Sequence, residues 1–252
     1  MKEMQHVEPS SLRDLPSRIS YLQSFMGFSP AADGPQVNSL KPVLAPLLPT
    51  ILDAVYTHLL SYDITARYFA PAQPSADGPS PGAGMDEKDP RALSLDHVNI
   101  QHRKHFLKLY LVRLLSNEDW TPSSAFWRYA DQVGRAHTGA QKPSGKSMAQ
   151  VDYVHSAALL AWVQDQIVAI VMGFSDETGE WTVEHKTEAL RALGKVWWIQ
   201  NDLFARPYIE EHRGKNETLA EKKSSQRDVK RIALAGLAGL LTGVLSVRFL
   251  YT

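Results

Sequence analysis

Cysteine does not occur anywhere in this chain of 252 residues. Its absence excludes a disulfide framework, a zinc–thiolate site, an iron–sulfur cluster and any thiolate-held or thioether-attached porphyrin. A metal would have to be held by histidine, tyrosine or carboxylate. Excess charge of either sign is missing as well: 27 Lys and Arg balance 27 Asp and Glu, which gives no electrostatic reason to expect nucleic acid or another polyanion as partner. The N-terminal stretch MKEMQHVEPSSLRDLP has no apolar run of signal-peptide length, so the folded part is expected to be made and kept in the cytosol.

With 44% hydrophobic residues, the chain can bury the core of one large domain, or of one domain with appendages. The apolar spacing is helical throughout. In the stretch Thr121 to Thr138, TPSSAFWRYADQVGRAHT, Thr121 can cap a helix that begins at Pro122, where the missing N–H costs nothing. On it Phe126, Ala130, Val133 and His137 recur at intervals of four, three and four residues, the repeat of a single inward stripe that ends in an imidazole. Ala130 and Gly134 are small enough to admit something flat. A histidine on an apolar face also has an ordinary reading, as a hydrogen-bonded core residue.

Further helices are expected at Leu12 to Phe28, capped by Ser10 or Ser11, and across Ser39 to Leu60. Pro46 and Pro49 divide the latter in two, with Pro49 in the first turn of the second helix and Tyr56 among its aliphatics. Another runs from about Ser94 to Leu115, with Phe106, Tyr110 and Leu114 on one stripe and His102 one turn before Phe106. His97, His102 and His105 do not share one helical face, so they are read as solvated histidines and not as a metal cluster. Met148 to Phe174 is apolar on two sides and is expected to be buried on more than one face, with Tyr153, Val154 and Ala157 in its first turns. Thr187 to Tyr208 completes the series through Leu190, Leu193, Trp197, Gln200, Phe204 and Tyr208.

Between the helices, Pro71 to Pro90 carries five prolines and three glycines in twenty residues and reads as a loop. GAQKPSGKS, after His137, resembles a phosphate-binding loop and fails the test: five residues separate Gly139 from Gly145, and no apolar strand precedes it. Beyond His212 the chain is basic, with seven Lys or Arg against three Asp or Glu as far as Arg231. Ile232 to Val247 then runs sixteen residues without a charge. A bilayer-spanning helix needs roughly 20 apolar residues, and counting Phe249 to Tyr251 with Arg248 snorkelling brings this segment into range. Gly239 and Gly243 give a spacing that permits close helix pairing.

The phrase FWRYADQVGRAHT closely resembles the proximal-histidine helix of the protoglobins and of the globin domains in bacterial globin-coupled sensors. RISYLQSFMGFS is similar to the extra helix that precedes the globin body there, and LDAVYTHLLSYDITARYF to the segment carrying a distal tyrosine. HRKHFLKLYL resembles the distal-face helix, and RALGKVWWIQNDLFARPYI the closing helix that contributes to pairing two such domains. Many archaeal members have a tryptophan before the tyrosine, where this chain has Val55.

The resemblance covers about Leu12 to Tyr208 in colinear order. It implies an all-α fold, a globin-like helical sandwich with an extra N-terminal helix, followed here by a single hydrophobic C-terminal helix. It also implies non-covalent haem b with His137 as the iron ligand, Tyr56 as hydrogen-bond donor to a bound diatomic gas (O2, CO or NO), and Phe106 and His102 on the distal side. Val133, Tyr153 and Ala157 would touch the cofactor. The expected organisation is a tail at 1–11, a haem domain at 12–212 with the 71–90 loop inside it, a basic linker at 213–231, and a membrane anchor at 232–251. On that plan the globin domain lies in the cytosol and a homodimer is an expected partner state. The function expected is gas binding or sensing without catalysis. The alternatives are a haem enzyme acting on NO, nitrite or peroxide with an external reductant, and a haem-free helical adaptor on a membrane.

Overall fold

The computed structural model describes residues 4–70, 93–138, 151–175 and 179–211, and every regular element among them is helical. By packing, the chain divides into residues 1–206 and residues 207–252. The second unit is described only over 207–211, which are helical. The 71–90 loop, the GAQKPSGKS segment, the basic linker and the expected anchor all lie outside the described residues.

A short 3-10 turn, Pro9–Arg13, leads into α1, Leu15–Met26. The cap is Asp14 and not Ser10 or Ser11: its carboxylate accepts from the Ser17 backbone N–H at 3.0 Å, the usual bond of an N-cap to the first turn. α1 stops at Gly27, whose φ of +64° is the left-handed conformation that only glycine takes without strain. Next come α2 (Asp33–Ser39), α3 (Lys41–Leu44), α4 (Leu48–Leu60) and α5 (Asp63–Ala66). Pro49 lies in the first turn of α4, as its missing donor dictates.

α6 runs Val98–Leu115, α7 Ala125–Ala136 and α8 Tyr153–Gly173, and a last helix, α9, occupies 183–211. Three differences from sequence expectation have local causes. His97 is the N-cap of α6, its Nδ1 accepting from the Asn99 backbone at 3.2 Å, so the helix begins after Ser94. α7 begins at Ala125 because Ser124 N–H turns back to the Thr121 carbonyl at 3.0 Å, while Thr121 is engaged by Asp119 Oδ1. α8 buries only one face, Ser156, Val163, Ile167 and Val171, and leaves Val154 63% exposed. The apolar residues of its other side are mostly alanine and valine, which an exposed helix tolerates singly. α8 is long and apolar enough to cross a membrane by length and composition; core helices of soluble proteins meet the same test.

The core centres on an aromatic knot in which Trp120 and Trp127 are almost wholly buried and meet Phe126 at ring distances of 5.2 and 5.0 Å. Gly34 of α2 lies against the Trp120 ring with no room for a side chain, and buried Gln23 donates to the Trp120 carbonyl at 2.7 Å. Lys186 caps the end of α8 by donating to the carbonyls of Met172 and Phe174. Charged contacts hold α9 to the N-terminal helices, among them Arg18 to Asp202 with two bonds of 2.6 and 2.7 Å, Lys195 to Asp33 at 2.8 Å, and Arg206 to the Arg13 carbonyl at 2.6 Å.

Candidate functional site

The stripe read on α7 reaches the interior as its spacing requires. Phe126 and Ala130 are buried, Val133 packs partly buried against the core, and Trp127, Asp131 and Gly134 are buried beside them. His137 is the C-cap, half-buried, where the helical ladder has ended. Its Nδ1 lies 2.7 Å from the Val133 carbonyl. A carbonyl only accepts, so Nδ1 carries the hydrogen and Nε2 the lone pair. Burial holds this imidazole below the ordinary histidine pKa. The Val133 hydrogen bond opposes that shift and the Arg103 charge adds to it. The result is a neutral ring of fixed tautomer, the form in which histidine ligates a metal.

Tyr56, on α4, is 5% exposed and packs edge-on against Phe69 at 5.6 Å. Burial raises its pKa well above the tyrosine value, against the attraction of Arg103, so the phenol keeps its proton and remains a donor. Arg103 thus bears electrostatically on both Tyr56 and His137 from the middle of α6, where it is half-buried. It is the residue that sequence reasoning missed. The signal was present: on α6 the buried positions Ile100, Tyr110, Leu111 and Leu114 project a line through 103, 104 and 107 at helical spacing.

Phe106 and His102 stand to one side of that line. Phe106 is 48% exposed, and its ring neighbours are His102, edge-on at 4.7 Å, and His105 at 6.0 Å. The expected inward stripe Phe106, Tyr110, Leu114 therefore holds only for its last two members. No residue from Gln101 to Leu109 is buried. Tyr153 is half-buried and its hydroxyl donates to Asn201 Oδ1 at 2.9 Å, tying α8 to α9; Ala157, one turn on, is half-buried. Phe204 of α9, noted in the sequence only as part of a stripe, stacks on the His137 ring, centroids 5.5 Å apart and planes at 30°. Among the described residues no group of three or more His, Asp or Glu could hold a metal ion.

The chemistry of this donor set suits a haem. It offers one neutral imidazole with an oriented lone pair, a buried phenol that keeps its proton, and apolar side chains on α6, Phe106 and Leu109, each 48% exposed. A family model described as Protoglobin matches residues 15–213. Among solved structures, the globin domain of a Geobacter sulfurreducens globin-coupled sensor shares the fold, with a TM-score of 0.52 at 16% identity, covering 75% of this chain and 96% of that one. No curated protein matches the chain by sequence.

Proposed function

Since the chain belongs to the protoglobin family, by a match spanning residues 15–213, we propose that it holds haem b on His137 and binds a diatomic gas reversibly, as a sensor or gas-binding protein. The observation that carries this reading is the state of His137: neutral, with Nδ1 committed to the Val133 carbonyl. Haem, when bound on His137, would supply the iron chemistry by which O2, CO or NO is taken up reversibly.

The rest is the work of this chain's residues. The bond to Val133 fixes the tautomer and raises the basicity of the imidazole. Tyr56 holds a proton at its hydroxyl and serves as donor to a ligand in the pocket, and Phe106 with Leu109 keeps water from it. Val133, Ala157, Tyr153 and His102 border the same space in this reading. The segment 232–251 serves as a membrane anchor with the globin domain in the cytosol, and two copies pair through their closing helices.

The test is gas binding by the full chain loaded with haem and reduced. O2 and CO should give distinct, reversible spectral changes, and Tyr56→Phe should raise the O2 dissociation rate. A rate unchanged in that variant removes Tyr56 from the mechanism; a reduced protein that takes up neither gas removes the function.

A further inference from the structure

His137 is the first residue past α7, and its backbone has left the regular ladder. Its N–H bonds to Gly134 O, three residues back, at 3.1 Å, and its carbonyl accepts from Val151 N–H at 2.8 Å. An imidazole on such a residue turns about two side-chain torsions unless neighbours stop it. The contact of Nδ1 with Val133 O, 2.7 Å, fixes one distance but lets the ring plane pivot about that line. A flat face laid against the ring restrains that pivot, and Phe204 supplies one, 5.5 Å away and 30° from parallel.

Phe204 is itself held in place. At Gly134 the two helices touch through backbone: a Cβ there would lie 2.7 Å from Leu203 O and 3.0 Å from Phe204 Cα. Toward the start of α7, buried Asp131 faces Arg206 at 3.4 Å and pairs with Arg135 at 2.9 Å. The contacts climb α7 from 131 to 137 as they descend α9 from 206 to 203–204, so α9 runs along the histidine side of α7 as one wall.

We propose that Phe204 is a positioning residue for His137, fixing the rotation of the imidazole about its Cβ–Cγ bond and so the direction in which Nε2 meets the haem iron. This rests on the haem reading above. Residues that orient a metal-ligating histidine tune the bond it makes, although they never touch the metal. The ring plane governs both the overlap of the imidazole with the iron and the approach of its C–H groups to the porphyrin, so freeing the plane weakens the bond and spreads its strength over several orientations.

The experiment is resonance Raman spectroscopy of the iron–histidine stretch in the full chain, loaded with haem, reduced and free of gas. Phe204→Leu should lower and broaden that band relative to wild type while the Soret band persists. Phe204→Tyr, which keeps the ring, should restore the wild-type band. Phe204→Met, which keeps volume without a flat face, should behave as leucine does, and it serves if the leucine variant fails to fold. Identical bands in wild type and in the leucine or methionine variant overturn the proposal alone, as does a tyrosine variant shifted as far as they are. A wild-type chain that takes up no haem overturns the haem reading first, and this proposal with it.

Discussion

α7 and α6 both contribute to the region around His137 and Tyr56, yet they are held in opposite ways. α7 is packed against protein along its whole inner side, with Phe126, Trp127, Ala130, Asp131 and Gly134 buried and α9 in backbone contact at Gly134. α6 is fully buried only at Ile100 and in its last two turns, with Leu107 packed partly buried and Lys104 paired with Asp53 between them. Through its middle no residue is buried, and Phe106 and Leu109 are each 48% exposed. The difference separates two kinds of helix: one that completes a protein core has its side chains chosen by other side chains, whereas α6 leaves apolar groups half exposed, which in the haem reading proposed above would face the ligand.

That contrast can be broken by mutation. Trp127→Ala removes a wholly buried indole and should cost about 3–5 kcal/mol in chemical denaturation; a cost comparable with that of an exposed site would mean α7 is not packed as described. Gly134→Ala should cost about 1–3 kcal/mol, read as a lowered Tm, because the atoms that its methyl meets, Leu203 O and Phe204 Cα, belong to backbone and cannot turn aside. Phe106→Ala, on the loose side, should move the stability of the haem-free protein by no more than about 0.5 kcal/mol and should show its effect in faster loss of haem instead. If that variant destabilises the haem-free chain as much as Trp127→Ala, the two helices are alike and the comparison fails.

The smallest effect is in pH. Burial depresses the pKa of His137 from its ordinary value near 6.5, so in acid the unfolded chain binds a proton that the folded chain refuses. Stability of the haem-free protein is therefore fully present above about pH 6.5 and declines as pH falls from there toward the lower folded value. His137→Leu should flatten this part of the profile, which a pH series of thermal melts would read.

The same contrast governs how much was legible in sequence. The α7 stripe could be read because Phe126, Ala130, Val133 and His137 obey a period set by packing on protein, and Pro49 could be placed because a proline fits the first turn of a helix. The N-terminal caps could not be read so well. Ser10, Ser11 and Thr121 are all good capping residues, but Asp14 and Ser124 take those places because the preceding 3-10 turn and the Thr121 to Ser124 turn consume the backbone first. α8 misled because its alanines and valines count as apolar in any pattern, while only Ser156, Val163, Ile167 and Val171 are fully buried and Leu159, Leu160, Trp162 and Ile170 pack partly buried beside them.

On α6 the spacing admitted two neighbouring faces, one through Phe106 and one through Arg103. A phenylalanine looks like core and an arginine does not, so the pattern favoured the former. Phe204 was hidden for a different reason: nothing in the sequence says which of the closing helix's apolar residues lies against an imidazole 67 positions earlier, since that depends on how α9 crosses α7. Close approach at Gly134 decides it, and a glycine in a helix signals such an approach without naming the partner.

The central claim, that the imidazole of His137 is presented to a haem iron, is tested most directly by titrating the purified haem-free chain with haem and following the Soret band. Wild type should saturate at one haem per chain with a single sharp band. His137→Ala, which removes the ligand while leaving α7 and its buried stripe in place, should show no such band. Equal binding and equal spectra in the two proteins, or a wild type that stays colourless, would contradict the account.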